Sequence, residues 1–396
     1  MKEGWTYKKL GEVCRIERGG SPRPIKDYIT NNRNGLNWIK IGDTDPQGKY
    51  IYSTKEKIKP EGLKKSRWVE EDEFLLSNSM SFGRPYILKT NGCIHDGWLV
   101  LRDYQKNLFI DFFYYMLLSS NVQKQFKSKA QGSTVSNLNT DRVASVNVSF
   151  PSIEEQQRIV SRLDSAFAHI DERKANAEKQ LSEARALFQQ ALTKAMEPKE
   201  GWEEKKMKKI VVSLTDGDHQ PPPKSNDGIP FITISNIDKD ANRIDFENTF
   251  FVPRSYFEGL KKDRIPHEGD VLYTVTGSFG IPVLIDFQKE FCFQRHIALI
   301  RPNQNRLSSK FLYYWILSSY ATTQAEDTAT GTAQRTVSLN SLRNFVITIP
   351  PLSEQQRIVS RLDSLSAHVR ELEEVLQKTI AECDALKQAL LRQVFE

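Results

Sequence analysis

Basic side chains form two clusters at matching places in the chain, and such clusters could neutralise the phosphates of a nucleic acid. In the first cluster, Lys64 and Lys65 stand just before Trp68, and in the second, Lys261 and Lys262 occupy the corresponding place. A solvated charged face explains either cluster alone equally well. Because the cluster occurs twice, the sequence favours a role in phosphate binding.

Polar residues that could read base edges lie on loops in both halves of the chain. Reading a groove requires Arg, Lys, Asn, Gln, Ser or Thr at the tip of a loop. An ordinary turn or surface role stays open for each such residue taken alone. The candidates are Arg23, Lys40, Asp43, Thr44, Asn78, Ser81 and Arg84 in the first half, and His219, Gln220, Thr233, Asn236, Thr276, Ser278 and Arg295 in the second.

Motifs for catalysis or for metal binding are not found in the sequence. It contains neither common glycine-rich phosphate loop, nor the Asn/Asp-Pro-Pro-Tyr/Phe string of an amino-methyltransferase, nor a zinc-deaminase signature. The six histidines do not pair by spacing with a nucleophile, and the four cysteines lack the spacing of metal ligands or of a disulfide framework. We therefore expect no catalytic residue, no metal site and no cofactor bound by this chain.

Length and composition indicate a globular protein with more than one domain. The chain has 396 residues, 27% of them charged, and a net charge of +6. That balance permits nucleic-acid binding without requiring it. The N-terminus lacks an apolar signal region, and no run of eighteen apolar residues occurs. We expect a cytoplasmic protein that does not contact a membrane.

An eleven-residue string that occurs twice determines the predicted architecture. Residues 155–165, with the sequence EQQRIVSRLDS, return unchanged as residues 354–364. Each copy follows a proline-containing segment and opens a long helical pattern, so the chain alternates globular block and helix. The predicted parts are residues 1–150, 151–199, 200–349 and 350–396.

The two globular blocks share a framework of short apolar runs separated by turn signals. Trp38-Ile39 corresponds to Phe231-Ile232, and Cys93 and Cys292 stand at equivalent points. Residues 17–35 and 214–228 bear no resemblance to each other, as is typical of binding loops on a constant scaffold. The predicted fold class is α+β, with two pseudo-symmetric α/β domains.

The two helical regions carry apolar residues at a seven-residue period, a coiled-coil signal. The first seam is rich in alanine. The second is rich in leucine and includes Leu365, Leu372 and Leu386. Small side chains pack well against large ones, which favours pairing of the two helices within one chain. If a pseudo-twofold axis relates the two units of block and helix, the resulting coiled coil is antiparallel. A coil between two chains stays open as the alternative.

These features together resemble one known family, the specificity (S) subunits of type I restriction-modification systems. The motif Pro-x-x-x-Glu-Gln-x-x-Ile-Val spans residues 151–160 and recurs at residues 350–359, where a second proline, Pro351, follows the first. The Gly-Trp start of each block and the Ser-Phe-Gly segments at residues 81–83 and 278–280 also match. The resemblance covers the whole chain.

The resemblance implies a non-catalytic, prokaryotic DNA-binding subunit. Each block would be a target recognition domain that reads one half of a bipartite DNA site, and the coiled coil would set the spacer. Two modification subunits would methylate adenine N6 with S-adenosylmethionine. Two restriction subunits, where present, would add ATP- and Mg²⁺-dependent cleavage.

Identity across the two copies fits one partner type bound twice. On that interpretation, the modification subunits contact the start of each repeated string. The predicted contact residues are Glu155, Gln156, Gln157, Arg158, Glu354, Gln355, Gln356 and Arg357.

Two other functions stay open on the sequence. One is a coiled-coil scaffold with two protein- or carbohydrate-binding domains. The other is a DNA enzyme that acts without a second polypeptide. A salt-sensitive shift of duplex DNA separates the first from an S subunit, and methylation by the chain alone would establish the second.

Overall fold

The computed structural model describes two compact units, each combining short strands with helices. Unit 1 is Met1–Glu178 with Lys378–Glu396, and unit 2 is Lys179–Gln377. The predicted α+β fold class is confirmed. The boundaries predicted from the repeat stay a prediction. The described residues are 2–46, 48–78, 82–130, 138–332 and 334–396.

Helices of very different length occur in the two units. Two of them, each more than forty residues long, each begin at a copy of the repeated string. The helices α1 to α9 are Ile110–Leu118, Ser120–Ala130, Thr140–Ala144, Ile153–Ala195, Arg254–Glu258, Ser309–Leu317, Ser319–Thr328, Leu339–Asn344 and Leu352–Phe395.

Unit 1 contains three sheets in its described part. The strands β1 and β12 pair antiparallel, a five-stranded sheet has the order β2-β11-β8-β9-β5, and a second has the order β3-β6-β4-β10-β7. The strands β1 to β12 are Thr6–Lys9, Arg15–Arg18, Ile29–Thr30, Leu36–Ile39, Tyr50–Ile51, Glu56–Ile58, Arg67–Val69, Phe74–Ser77, Pro85–Leu88, Gly92–Ile94, Trp98–Arg102 and Asn147–Phe150.

Unit 2 repeats this plan with smaller sheets. The strands β13 and β23 pair antiparallel, and the larger sheets have the orders β14-β22-β19-β20 and β18-β15-β21, with β16-β17 as a separate pair. The strands β13 to β23 are Glu203–Lys206, Val211–Asp216, Ile229–Ile232, Ile237–Asp238, Arg243–Ile244, Phe250–Val252, Val271–Thr274, Pro282–Leu284, Cys292–Phe293, Ile297–Pro302 and Val346–Ile349.

The predicted correspondence between the blocks is visible in one parallel strand pair of each unit. In unit 1, Cys93 lies opposite Trp38, and in unit 2, Cys292 lies opposite Phe231. Both thiols are buried in the core. The prediction that these cysteines share a core position is confirmed.

Each unit has its main apolar core beneath an aromatic helix. In unit 1, the rings of Phe74 and Phe113 have centroids 4.7 Å apart, and Phe395 from the end of α9 packs on Phe112 at 5.2 Å. In unit 2, Trp315 of α6 is buried among aliphatic side chains that include Leu192 of α4. The long helices are therefore part of both cores.

Segments of α4 and α9 pack side by side and antiparallel within each unit. In unit 1, Lys174 Nζ lies 2.8 Å from Asp384 Oδ1, and Asp171 pairs with Lys387. In unit 2, Arg185 Nε lies 2.7 Å from Glu373 Oε1. Residue numbers rise along one helix as they fall along the other, so the predicted antiparallel pairing within one chain is confirmed.

Two details of the sequence interpretation are wrong. The leucine seam does not extend to Leu372 and Leu386, which are 42% and 49% exposed, whereas Leu376 and Cys383 are buried. The alternating apolar and polar residues of 143–150 indicate a strand that closes the first block, but Val143 lies in α3, whose N-cap Asn139 accepts from Arg142 N–H, and β12 begins at Asn147. In the described part of the chain, no helix is long and apolar enough to cross a membrane.

Candidate nucleic-acid interface

The first recognition loop, residues 19–28, passes close to two other backbone segments of unit 1. Gly19 N–H donates to the Trp98 carbonyl at 2.9 Å, as the chain leaves β2. A Cβ at Gly19 would lie 2.2 Å from the His95 carbonyl oxygen, and one at Gly20 would lie 2.8 Å from that of Lys65. Only glycine permits this approach, so the loop, the turn at residues 94–98 and the lysine cluster meet.

The second recognition loop, residues 217–228, leaves its sheet at the equivalent point of unit 2. A Cβ at Gly217 would lie 2.0 Å from the Phe293 carbonyl oxygen, and Asp218 forms a β-bridge with Gln294. The Arg264 guanidinium lies 3.7 Å from Asp216 and 3.8 Å from Asp218. Loops of unrelated sequence therefore occupy one common position on the framework.

Lysines of both clusters lie on short 3-10 helices beside these loops. Lys64 and Lys65 end the helix Pro60–Lys65, and Lys262 begins the helix Lys262–Arg264, with Lys261 as its N-cap. All four side chains are exposed. Lys65 Nζ donates to the Tyr28 hydroxyl at 2.9 Å. The structure thus brings each basic cluster next to a recognition loop.

Around the first loop, a carboxylate organises the polar side chains. Ser21 Oγ donates to Asp96 Oδ1 at 2.7 Å, and Arg23 Nη2 donates to Asp96 Oδ2 at 3.1 Å. The hydrogen bond from Ser21 lowers the pKa of the Asp96 carboxyl, so the group stays ionised at neutral pH. Lys40 forms an ion pair with Glu56.

An open pocket of about 620 Å³ lies under this loop. His95 is packed between Trp38 and Trp98, with ring centroids 6.2 Å from each, and burial lowers the pKa of its imidazole. The neutral imidazole gives the pocket an apolar floor, and the Arg23 and Lys40 side chains give it a basic rim. Its lining residues are Ser21, Pro22, Arg23, Pro24, Ile25, Trp38, Lys40 and His95.

Around the second loop, acidic and imidazole groups alternate. His219 Nε2 lies 2.9 Å from Asp216 Oδ2, and Tyr256 donates to Asp218 at 3.2 Å. Burial opposes ionisation of Asp218, but hydrogen bonds from backbone N–H groups and from Tyr256 outweigh it and lower its pKa. Arg295 is exposed and contacts His296. The charged groups therefore differ between the loops: Asp96 and Arg23 pair at the first, whereas Asp216 and Asp218 lie beside His219 and Tyr256 at the second.

Three predicted base-contact residues instead hold turns together. Asn78 is buried and donates to the Asp96 carbonyl at 2.9 Å. Asn236 is buried, and its Oδ1 accepts from the N–H of Thr233 at 2.9 Å and from its hydroxyl at 2.7 Å. Thr276 is buried and accepts from the Thr336 hydroxyl. These side chains are buried and bond to their own chain, and base contact by them stays a prediction.

The other predicted base-contact residues differ in exposure and in the groups that they contact. Thr44 donates to the Ile41 carbonyl at 2.7 Å and is half-buried. Arg84 is half-buried and lies over the Tyr86 ring at 5.6 Å. Gln220 and Ser278 are exposed. Ser81 lies outside the described residues.

At the start of each long helix, one of the predicted partner-contact residues is a buried glutamine. Gln156 is buried, its Oε1 accepts from Phe109 N–H at 2.8 Å, and its Nε2 donates to the Asn107 and Pro151 carbonyls. Gln355 is buried in the same way. These amides fix the start of the helix to its own unit, and partner contact at these two positions stays a prediction.

The exposed members of the repeated string remain accessible. Glu155 and Arg158 form an ion pair at 2.8 Å, and Glu354 and Arg357 form the equivalent pair at 2.6 Å. The hydrogen bond from Arg357 lowers the pKa of Glu354. Gln157 and Gln356 are exposed, so the same polar surface occurs once in each unit.

A comparison with protein families decides the identity of this architecture. The family described as type I restriction modification DNA specificity domain matches residues 2–182 and again residues 199–382. The chain belongs to the type I restriction-modification DNA specificity family. The two matches cover most of the sequence, and the S-subunit resemblance predicted from the repeated motif is confirmed.

Curated relatives of this S subunit match it over its full length. The type I restriction enzyme EcoBI specificity subunit of Escherichia coli is 22% identical over 426 residues, covering 100% of this chain and 86% of the relative. The EcoKI specificity subunit of Escherichia coli strain K12 is 24% identical over 424 residues, covering 100% and 89%.

A solved structure shares the fold of this S subunit. It comes from work on complex assembly and conformational transition of the type I R-M system, and its TM-score is 0.78. The two chains are 20% identical, with 100% of this chain and 98% of the other covered. At that identity, the likeness describes the fold alone.

Sequence reasoning missed the acidic side chains of the S subunit that fix the two loops. Asp96, Asp216 and Asp218 were not among the candidates. A signal existed for Asp96: after the matching Cys93 and Cys292, the framework continues with unrelated residues at positions 95–97 and 294–296. Divergence at a fixed point of the framework marks a variable turn.

Proposed function

We propose that each unit of this S subunit reads one half of a bipartite DNA site. The observation that carries the proposal is the duplicated geometry at Gly19 and Gly217, where two unrelated loops leave equivalent strands beside a lysine cluster. A constant frame with variable tips is what two readers of different half-sites need.

The side chains around each loop would have two roles in DNA binding, phosphate contact and base contact. Lys64, Lys65, Lys261 and Lys262 would contact phosphates, which adds affinity without sequence preference. The remaining candidates, which are exposed or half-buried, would approach base edges. They are Arg23, Lys40, Thr44 and Arg84 in unit 1, and His219, Gln220, Thr233, Ser278 and Arg295 in unit 2.

The paired helices would set the spacer and dock two modification subunits. Support comes from the antiparallel ion pairs within each unit and from the identical exposed surfaces around Gln157 and Gln356. The S subunit itself would be non-catalytic. S-adenosylmethionine would bind to the modification subunits for N6-adenine methylation, and ATP and Mg²⁺ to restriction subunits where these are present.

Footprinting of the complex with modification subunits tests the two-reader proposal. We expect two short protected tracts on one face of the duplex, about one helical turn apart. A single continuous tract contradicts it. If the chain does not shift duplex DNA in a salt-sensitive manner, the alternative of a coiled-coil scaffold applies. Membership of the specificity family does not favour that alternative.

An insertion in α4 tests the spacer role separately. Ala177 is buried where α4 packs on α9, so four additional residues there displace everything beyond it. The expected result is a changed spacer or lost binding, with each half-site sequence retained. A variant with unchanged spacer and affinity shows that the helix does not set the distance.

A further inference from the structure

A single arginine in unit 1 has the surroundings of a guanine reader. Arg23 stands at the tip of the first recognition loop, with 79% of its side chain exposed. Among the described residues, its hydrogen bond is to Asp96 through Nη2. A guanidinium carries five N–H donors in a planar fork, so most of the fork faces outward.

Asp96 is itself held by its backbone as well as by its side chain. Its carbonyl accepts from Asn78 Nδ2 at 2.9 Å and from Arg18 Nε at 3.2 Å. Its N–H lies 3.3 Å from Ser21 Oγ, the same hydroxyl that donates to its carboxylate. A carboxylate fixed in this way fixes the arginine that binds to it.

Unlike Arg23, the neighbouring lysines are not both exposed and held by a fixed carboxylate. Lys40 is paired with Glu56 and is mostly covered, with 34% of its side chain exposed. Lys64 and Lys65 are exposed at the end of a 3-10 helix, where compact ammonium groups suit phosphates. Arg23 is both exposed and held by a carboxylate. Arg18 is also exposed, but it lies at the end of β2 and bonds to the Asp96 backbone carbonyl.

Charge argues that the partner of Arg23 is a base and not a phosphate. The carboxylate of Asp96 cancels most of the attraction that Arg23 would exert on a phosphate, and it repels a phosphate directly. Guanine offers two neutral acceptors, O6 and N7, spaced to match the guanidinium fork, and this is the commonest specific contact in the major groove.

We infer that Arg23 reads a guanine in the half-site bound by unit 1, with Asp96 as its positioning residue. The inference rests on the proposed function, which supplies the DNA. It adds a base identity that neither the family nor the fold provides. Unit 2 has no matching pair at this place in its described residues, since Arg295 follows Gln294 where Asp96 follows His95, so the two half-sites are read differently.

Sequencing of methylated sites in cells that express the full chain with its modification subunits tests the inference. In the Arg23→Gln variant, the preference for guanine at one position of one half-site falls on the order of ten- to a hundredfold. The other half-site and the spacer stay unchanged. Arg23→Lys retains the charge but not the fork, and we expect the same loss.

Asp96→Asn separates positioning from folding. It should lower the preference for guanine at the same single position, to a smaller extent than Arg23→Gln does. The midpoint of thermal unfolding of the purified chain should stay near that of the wild type. The control is Arg15→Gln, which removes another exposed arginine of unit 1, on β2 and outside the variable segment 17–35, and should leave the motif unchanged. If a variant methylates too little to sequence, binding of the complex to duplexes permuted at each position gives the same measurement.

Several outcomes would overturn the inference. They are a half-site without guanine, an Arg23→Gln variant with every preference intact, full retention by Arg23→Lys, or a uniform loss at all positions that indicates a phosphate contact. Failure of the proposed function looks different, because the wild-type chain would then direct no two-part motif at all.

Discussion

The side-chain carbonyl of Gln355 accepts a hydrogen bond from the backbone N–H of Ser308 at 2.8 Å. The amide of Gln355 also donates to the carbonyls of Arg306 and Pro350. Gln156 makes the same three bonds in unit 1. One glutamine therefore joins each long helix to the loop before an aromatic helix and to the proline that ends a strand.

Replacing this glutamine should destabilise its unit. Gln355→Leu leaves one buried N–H and two carbonyls without partners, and each such group costs about 1–3 kcal/mol. We expect the free energy of unfolding, measured by urea denaturation, to fall by about 3 kcal/mol or more. The adjacent and exposed Gln356→Leu is the control and should change it by less than about 0.5 kcal/mol. Equal effects of the two changes would show that the buried bonds do not matter.

Adding a methyl group at the base of either recognition loop should displace the loop. Gly19→Ala places a Cβ 2.2 Å from the His95 carbonyl oxygen, and Gly217→Ala places one 2.0 Å from that of Phe293. Overpacking of this kind costs about 1–3 kcal/mol. The expected result is a lower thermal midpoint and weaker DNA binding. Gly42→Ala, which meets nothing within 4 Å, serves as the control and should retain both properties.

Removing lysines beside the first loop should weaken DNA binding without changing the preferred sequence. Replacement of both Lys64 and Lys65 by Gln should lower the slope of log affinity against log salt by about 1 for each phosphate that the protein no longer neutralises. Titration of labelled duplex at several salt concentrations measures that slope. Lys8→Gln, an exposed lysine on β1, should not alter it. A change in base preference would assign the lysines to base reading.

The ion pairs between the long helices should be lost when one charge is reversed and restored when the two charges are exchanged. Lys174 is 18% exposed and pairs with Asp384 at 2.8 Å, and its hydrogen bond to Asp384 raises the pKa of the Lys174 ammonium. Lys174→Glu should cost up to about 1 kcal/mol of unfolding free energy. Adding Asp384→Lys should restore most of it. If thermal melts show the double variant no better than the single one, the pair contributes nothing.

Thiol titration should report the burial of the framework cysteines. Burial raises the pKa of Cys93 to about 11 from an ordinary 9.0. Because an unfolded chain ionises this thiol near pH 9 and the folded one does not, the stabilising contribution of the protonated thiol is present below pH 9. It declines as the pH rises toward 11.

Two measurements check the behaviour of Cys93. The folded chain at pH 8 should react with a thiol reagent far more slowly than the unfolded chain, since the thiolate is the reactive form. A Cys93→Ala variant should lose less stability than the wild type between pH 9 and pH 11. Rapid labelling of Cys93 in the folded chain would contradict its burial.

The architecture could be predicted from the sequence because its signals are local and repeated. An identical string at residues 155–165 and 354–364 defines a duplication, and a seven-residue apolar period defines two helices that indeed span Ile153–Ala195 and Leu352–Phe395. Framework positions such as Cys93 and Cys292 followed from the same offset. The family followed from these features together.

Roles within the repeated string could not be read from its letters. Gln156 and Gln157 are adjacent and identical in type, yet one is buried with three hydrogen bonds and the other is exposed. The rotation of the helix about its axis relative to the domain decides which glutamine is buried. That rotation depends on contacts with distant backbone atoms, such as the N–H of Phe109, 47 residues from Gln156.

The sequence by itself determined that this protein consists of two copies of a domain followed by a helix, with variable loops on a constant framework. Only the tertiary structure decided which polar residues stand together. Arg23 and Asp96 are 73 positions apart, and the contact arises because Gly19 lets the loop pass over the turn at residues 94–98. A distance of that kind is set by the packing of strands and not by spacing along the chain.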